Sequence, residues 1–402
     1  MPPATIADRG KQQGAALLIM LVILIIAVSA FLLKSLNLSS INNARQKTTS
    51  AALAQAKQAL LGYAVSDNNR PGELPCPDVD NDGMVTLADY SGSNCASLIG
   101  RLPWITLGLP DLRDGSGERL WYALSDPFHA NGSAVLNSNT QGTLQVYGPD
   151  GVTLQTQANY SAVAVIFSAG SPVGTQTRDT VAQQNNASNY LDSANGRNNY
   201  TAGGPFIAGS RSSTFNDQLL LITTHDLIPL VEKRVATDVK KALASYYAAN
   251  GYYPWADSLT DGSYASNYGL NRGWLPQNAS STNPNWPHNT TNDWPSNSFP
   301  SYFIPNQWYS VIYYSVAKNY TPDSADCSSC LYLMLSVDTL SAKVLFFMPG
   351  TYPGGTRSTS TLSQYLYDST NNDSNDYYNT PSATTNDRNR IYWLSASGQW
   401  NQ

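Results

Sequence analysis

From Ala15 to Leu33 the chain runs for 19 residues without a charge, a proline or a glycine. As a helix rising about 1.5 Å per residue this stretch covers about 28 Å, roughly the hydrocarbon thickness of a bilayer. Thirteen of its residues are Leu, Ile, Val or Phe. At about −0.3 to −0.6 kcal/mol each they favour insertion by roughly 5 kcal/mol, so the segment is expected to enter a membrane. Arg9 and Lys11 ahead of it favour a cytoplasmic N-terminus, but Lys34, Arg45 and Lys47 follow on the other side and weaken that rule.

Three fates are open to such a segment. Val28-Ser29-Ala30 offers a small-residue site at which a secretory signal would be removed, although the apolar run is longer than such cores usually are. An uncleaved signal anchor is the second. The third follows from Gly10-Lys11-Gln12-Gln13-Gly14 standing directly before Ala15-Ala16-Leu17-Leu18-Ile19-Met20-Leu21. This resembles a class III prepilin leader, the leader of type IV pilins and of type II secretion pseudopilins. The resemblance covers the leader and the first helix. It implies a cut between Gly14 and Ala15 by a prepilin peptidase, with the apolar helix left attached to the exported chain. Glycine suits the position because a residue without a side chain lets the scissile bond approach closely. Most pilins carry Glu at the fifth place after the cut, where this chain has Ile19; the departure resembles minor subunits at a filament tip.

Beyond Leu33 no proline or glycine occurs before Gly62, and apolar or small residues recur at Leu36, Ile41, Ala44, Ala51, Ala54, Leu60 and Leu61. One helix from Ala15 to Tyr63 is expected, about 70 Å long, similar to the spine of a pilin. The landmarks that follow recur in order. Ala59-Leu60-Leu61-Gly62-Tyr63 is answered by Ala242-Leu243-Ala244-Ser245-Tyr246, and Leu120-Trp121-Tyr122-Ala123 by Gln307-Trp308-Tyr309-Ser310. Val163–Phe167 is answered by Val344–Phe347, Tyr190-Leu191 by Tyr365-Leu366, and Asn216-Asp217 by Asn386-Asp387. An internal duplication is the expectation. The second helix is expected at about Leu227–Ala249, amphipathic and packed on a sheet. The expected fold class is therefore α+β: a long N-terminal membrane-spanning helix followed by two tandem pilin-like modules, each a helix packed on an antiparallel sheet with long loops. The expected boundaries are a leader at 1–14, the membrane and spine helix at 15–63, and modules at 64–225 and 226–402.

Asp78, Asp80 and Asp82, with Gly83 at the turn and Asp89 at the twelfth place, match a calcium loop. Met84 would give its carbonyl, and Thr86 would contribute directly or through water. The alternative is a solvated loop of Asx turns. Four cysteines occur, and local pairing would join Cys76 to Cys95 across the acidic loop and Cys327 to Cys330 in a small turn. The stretch Trp274 to Trp308 is rich in Asn, Pro and aromatics. Trp274, Trp286 and Trp294 are candidate platforms there for a glycan or a surface protein, or else they cover the sheet.

Only 13% of the 402 residues are charged and the net charge is −5, so no nucleic-acid partner is expected. Past residue 50 the surface-forming residues are Asn, Ser, Thr, Gly and Tyr, which suits export. His129, His225 and His288 are not spaced as a metal pair, and no nucleophile elbow, phosphate loop or dinucleotide fingerprint occurs. No enzymatic activity is expected. The family resemblance implies a non-catalytic minor pilin or pseudopilin, probed by its partners: other pilin-type subunits, the peptidase and the bacterial inner membrane, with a periplasmic or extracellular head. A membrane-anchored adhesin outside any filament is the alternative.

Overall fold

The computed structural model describes residues 12–130, 134–156, 161–256, 272–276, 294–295, 297–320, 331–334, 339–352, 357–358, 362–366, 377–379 and 390–402. Three α-helices occur among them: α1 (Gln12–Ser66), a single turn α2 (Val181–Gln184) and α3 (Thr224–Asn250). Strands and 3-10 turns supply the other regular elements.

The first large sheet has four antiparallel strands, β1 (Ile99–Arg101), β2 (Trp121–Leu124), β3 (Ala162–Ser168) and β4 (Gln218–Thr223), in the order β4-β3-β2-β1. All seven residues of β3 are buried, as a strand covered on both faces requires. The second sheet contains β5 (Arg272–Trp274), β6 (Tyr313–Val316), β7 (Tyr332–Met334), β8 (Thr339–Met348), β9 (Tyr377–Asn379), β10 (Arg390–Ser395) and β11 (Trp400–Asn401). The long strand β8 pairs with β7 through its first residues and with β6 and β10 through the rest. The path β5-β6-β8-β10 therefore has the chain order and antiparallel sense of β1-β2-β3-β4. Trp308–Ser310, the expected counterpart of the β2 residues, is a 3-10 turn, and the strand begins five residues later at Tyr313.

Helix α1 meets the first sheet through Thr49, Ala52, Leu53, Ala56, Leu60, Leu61 and Ala64, all buried. The steps of three and four residues keep them on one face. Lys57 fastens this face by donating to the Leu221 carbonyl at 2.9 Å and pairing with Asp226 at 2.9 Å. Helix α3 follows β4 directly. Asp226 accepts the Thr223 backbone N–H at 2.8 Å, which closes a capping box at the helix start. Gly251 closes the other end at φ 76°, the left-handed conformation glycine adopts without a Cβ penalty. Leu227, Ile228, Val231, Val235, Val239, Ala242, Leu243 and Tyr246 form the buried stripe of α3.

The expected membrane-spanning helix is corrected here: among the described residues no helix is long and apolar enough to cross a membrane. The apolar stretch occupies only part of a longer helical element. The element here extends to Ser66, and its side chains from Ser40 to Thr48 are exposed and mostly polar before the packed stripe begins. The two halves share one core. A single cluster of buried residues joins α1, the first sheet, α3 and the second sheet, from Ala52 to Leu394.

Polar contacts close the same junction. Glu232 on α3 is fully buried; it accepts from the Ser138 hydroxyl and the Gly350 N–H, each at 2.7 Å, and meets Arg390 at 3.3 Å. Burial pushes its carboxyl above the ordinary value. Arg357 reaches from the second half to the Ser138 carbonyl and to Asn139.

Candidate functional site

The acidic loop is built on a close approach between two chain segments. Asp78 and Arg101 exchange backbone hydrogen bonds, Asp78 N–H to the Arg101 carbonyl at 3.0 Å and the reverse at 2.7 Å. Gly100 permits this, because a Cβ there would lie only 2.5 Å from the Asp78 carbonyl oxygen. The Cys76–Cys95 disulfide then closes the segment across 19 residues. Cys327 and Cys330 lie outside the described residues.

Within the loop Asp78 is buried, and it accepts the Asn81 N–H at 2.6 Å and the Gly83 N–H at 2.7 Å. Burial pushes its carboxyl up to about 6 against the opposing effect of these two donors. Asp82 accepts the Met84 N–H at 2.7 Å. Asp78, Asp80 and Asp82 each bring one oxygen within 4.8 Å of the others. Oxygens on one calcium ion, each about 2.3 to 2.6 Å from it, lie up to about 5 Å apart, so these three fit a shared cation.

Asp89, the expected twelfth-place ligand, does not join them. Asp89 is fully buried and accepts the Val79 N–H at 2.8 Å and the Thr86 N–H at 2.7 Å. The Thr86 hydroxyl accepts the Ala88 N–H at 3.2 Å and caps the 3-10 turn Leu87–Asp89. Thr86 to Asp89 is thus a capping box, a pattern that the calcium-loop spacing overlaps. Met84 exposes its side chain.

Gly14 and Ala15 fall in the first turns of α1. Trp274 stands in β5 with its ring edge-on to Tyr365 at 4.5 Å between centroids. Trp294 packs on Tyr246 at 4.8 Å and on Phe299 at 4.6 Å. Both tryptophans are buried, so neither ring is a platform for a partner. Trp286 lies outside the described residues.

A second acidic pair, which no sequence motif marks, sits at the far side of the first sheet. Asp192 accepts the Asn216 N–H at 2.6 Å and the side-chain amide of Gln176 at 2.8 Å. Asp217 accepts the Asn199 side-chain amide at 2.9 Å, while its Oδ1 is buried without a partner. Burial raises both carboxyls above their ordinary value, and for Asp217 the neighbouring Asp192 adds to it. The adjoining Tyr190 ring is held by two guanidinium groups, Arg101 at 3.9 Å and Arg178 at 4.1 Å.

The chain matches no family model, and no curated protein and no solved structure is significantly similar to it.

Proposed function

We propose that this chain is a non-catalytic subunit of an exported, filament-type assembly, of the minor pilin or pseudopilin kind. The observation that carries the reading is the extent of α1: a helix of 55 residues whose side chains from Ser40 to Thr48 are exposed, ahead of the buried face that runs from Thr49 to Ala64. A helix with so much of its length ahead of the head is suited to packing against the corresponding helices of other subunits. The Gly14-Ala15 junction and the disulfide in the head support export through a peptidase into an oxidising compartment. A calcium ion held by Asp78, Asp80 and Asp82 would have a structural role in this reading, neutralising three crowded carboxylates.

The mature N-terminus tests the reading. Mass analysis of material purified from a cell that carries a prepilin peptidase is expected to find Ala15 first, and Gly14→Val is expected to leave the leader in place. Cysteines introduced between Ser40 and Thr48 are expected to cross-link to partner subunits. A mature chain that starts at Met1 or Phe31, with no cross-linked partner, rejects the filament reading.

A further inference from the structure

An open cavity of about 400 Å³ lies beside the paired aspartates. That volume falls in the range of small-ligand sites, about 300 to 1,000 Å³. Its lining includes Thr175, Gln176, Asp192, Ser193, Tyr200 and Thr214. We propose that this cavity binds a neutral carbohydrate. The inference does not rest on the filament reading.

The chemistry of the walls selects the class. Hydroxyls both donate and accept, as sugar hydroxyls do. Among the described lining residues the Tyr200 ring supplies the aromatic surface, against which the apolar C–H face of a sugar packs. Among the described residues no cationic side chain lines the cavity. The neighbouring Arg178 is committed to Glu118 at 2.8 Å and to the carbonyls of Gly170 and Asn189. An anionic ligand would therefore lose water without gaining a partner.

The polar floor is held in place before any ligand arrives. Asp192 is 4% exposed. Its Oδ2 is fixed by the backbone N–H groups of Asn216 and Asp217, and its Oδ1 takes one amide proton from Gln176 and retains acceptor capacity. Gln176 is itself fixed, its side-chain oxygen accepting from the Val173 N–H at 3.1 Å and from Arg178 at 2.9 Å. Such a site loses little freedom on binding. Burial pushes the Asp192 carboxyl above the ordinary value, which works against the charged form that a cation would need.

Saturation-transfer NMR on the full chain tests the proposal, with galactose, glucose and N-acetylglucosamine as separate probes and putrescine as the cationic one. At least one sugar is expected to receive saturation with Kd of about 1 mM, weakened about tenfold or more by Tyr200→Ala. Ser193→Trp places a large ring in the cavity from an exposed position and is expected to abolish transfer while melting as the wild type does. It decides the matter should Tyr200→Ala fail to fold. Absence of transfer to all three sugars, transfer that survives Ser193→Trp, or putrescine binding alone overturns the proposal.

Discussion

Asp192 and Asp217 each accept the other's backbone N–H: Asp192 N–H donates to Asp217 Oδ2 at 2.7 Å, and Asp217 N–H donates to Asp192 Oδ2 at 3.1 Å. The exchange fastens two loops 25 residues apart in sequence, at the cost of placing two carboxyls side by side under cover. Burial raises both above the ordinary carboxylate value, and for Asp217 the neighbouring Asp192 adds to it. A carboxyl raised on folding gives stability that is complete below its unfolded pKa, about 4, and that is lost as pH rises through the folded value. Melting temperature is therefore expected to fall as pH rises from about 5 towards 8, and Asp217→Asn is expected to flatten part of that slope. Melts of both proteins across this range check it; parallel slopes would refute the assignment. Asp226 and Asp111, whose carboxyls are lowered by their donors and partners, act in the opposite sense and below about pH 4.

Glu232 joins the two halves from inside the core. Removing it as Glu232→Ala leaves the Gly350 N–H and the Arg390 guanidinium without their acceptor. Loss of one partner of a buried ion pair costs about 3 to 5 kcal/mol. The lower end is expected because Arg390 keeps 32% of its side-chain surface in solvent. Since one buried cluster spans both sheets, urea unfolding should stay a single transition when followed by tryptophan fluorescence and by circular dichroism. Two separated transitions in the wild type would show that the halves unfold independently.

Gly115 is where the head meets the α1 backbone. Its N–H donates to the Thr49 hydroxyl at 3.0 Å, and a Cβ there would run into the Arg45 carbonyl. Gly115→Ala is expected to cost about 1 to 3 kcal/mol, as overpacking against backbone does. Faster amide exchange confined to about residues 42–49 is the accompanying sign that α1 has been prised from the head. Unchanged exchange there would mean that the contact does not hold the helix.

The parts of this fold that local chemistry writes were legible in the sequence. The Cys76–Cys95 pairing followed from proximity along the chain, and α3 was expected at Leu227–Ala249 and spans Thr224–Asn250. What depends on long-range packing was not. Trp274 and Trp294 read equally as platform or as core, because an aromatic residue in a polar loop carries no mark of the direction it faces. Asp89 fitted two patterns at once, and only the fold shows that the Val79 and Thr86 N–H groups take its two oxygens. The Asp192–Asp217 exchange has no spacing rule at all; its members meet because β3 and β4 bring their flanking loops together. The membrane reading rested on the same kind of local evidence, a window of apolar residues, and among the described residues no helix is long and apolar enough to cross a membrane.

The acidic loop separates a structural carboxylate from two available ones. Asp78 is buried with both oxygens on backbone donors, so Asp78→Ala is expected to destabilise the protein by about 1 to 3 kcal/mol with or without calcium. Asp80 and Asp82 are exposed, and each accepts the N–H two residues further on. Asp80→Asn with Asp82→Asn should therefore leave the chelator-treated melting temperature nearly unchanged. A cation present at 100 times its Kd stabilises the folded state by about 2.7 kcal/mol. Calcium is accordingly expected to raise the melting temperature of the wild type by several degrees and to have no effect on the double variant. Magnesium, which demands a smaller octahedral shell and gives up water reluctantly, should act weakly at the same concentration. Differential scanning calorimetry of both proteins in calcium, magnesium and chelator separates these outcomes, and a wild type that melts at one temperature in all three removes the cation from the loop.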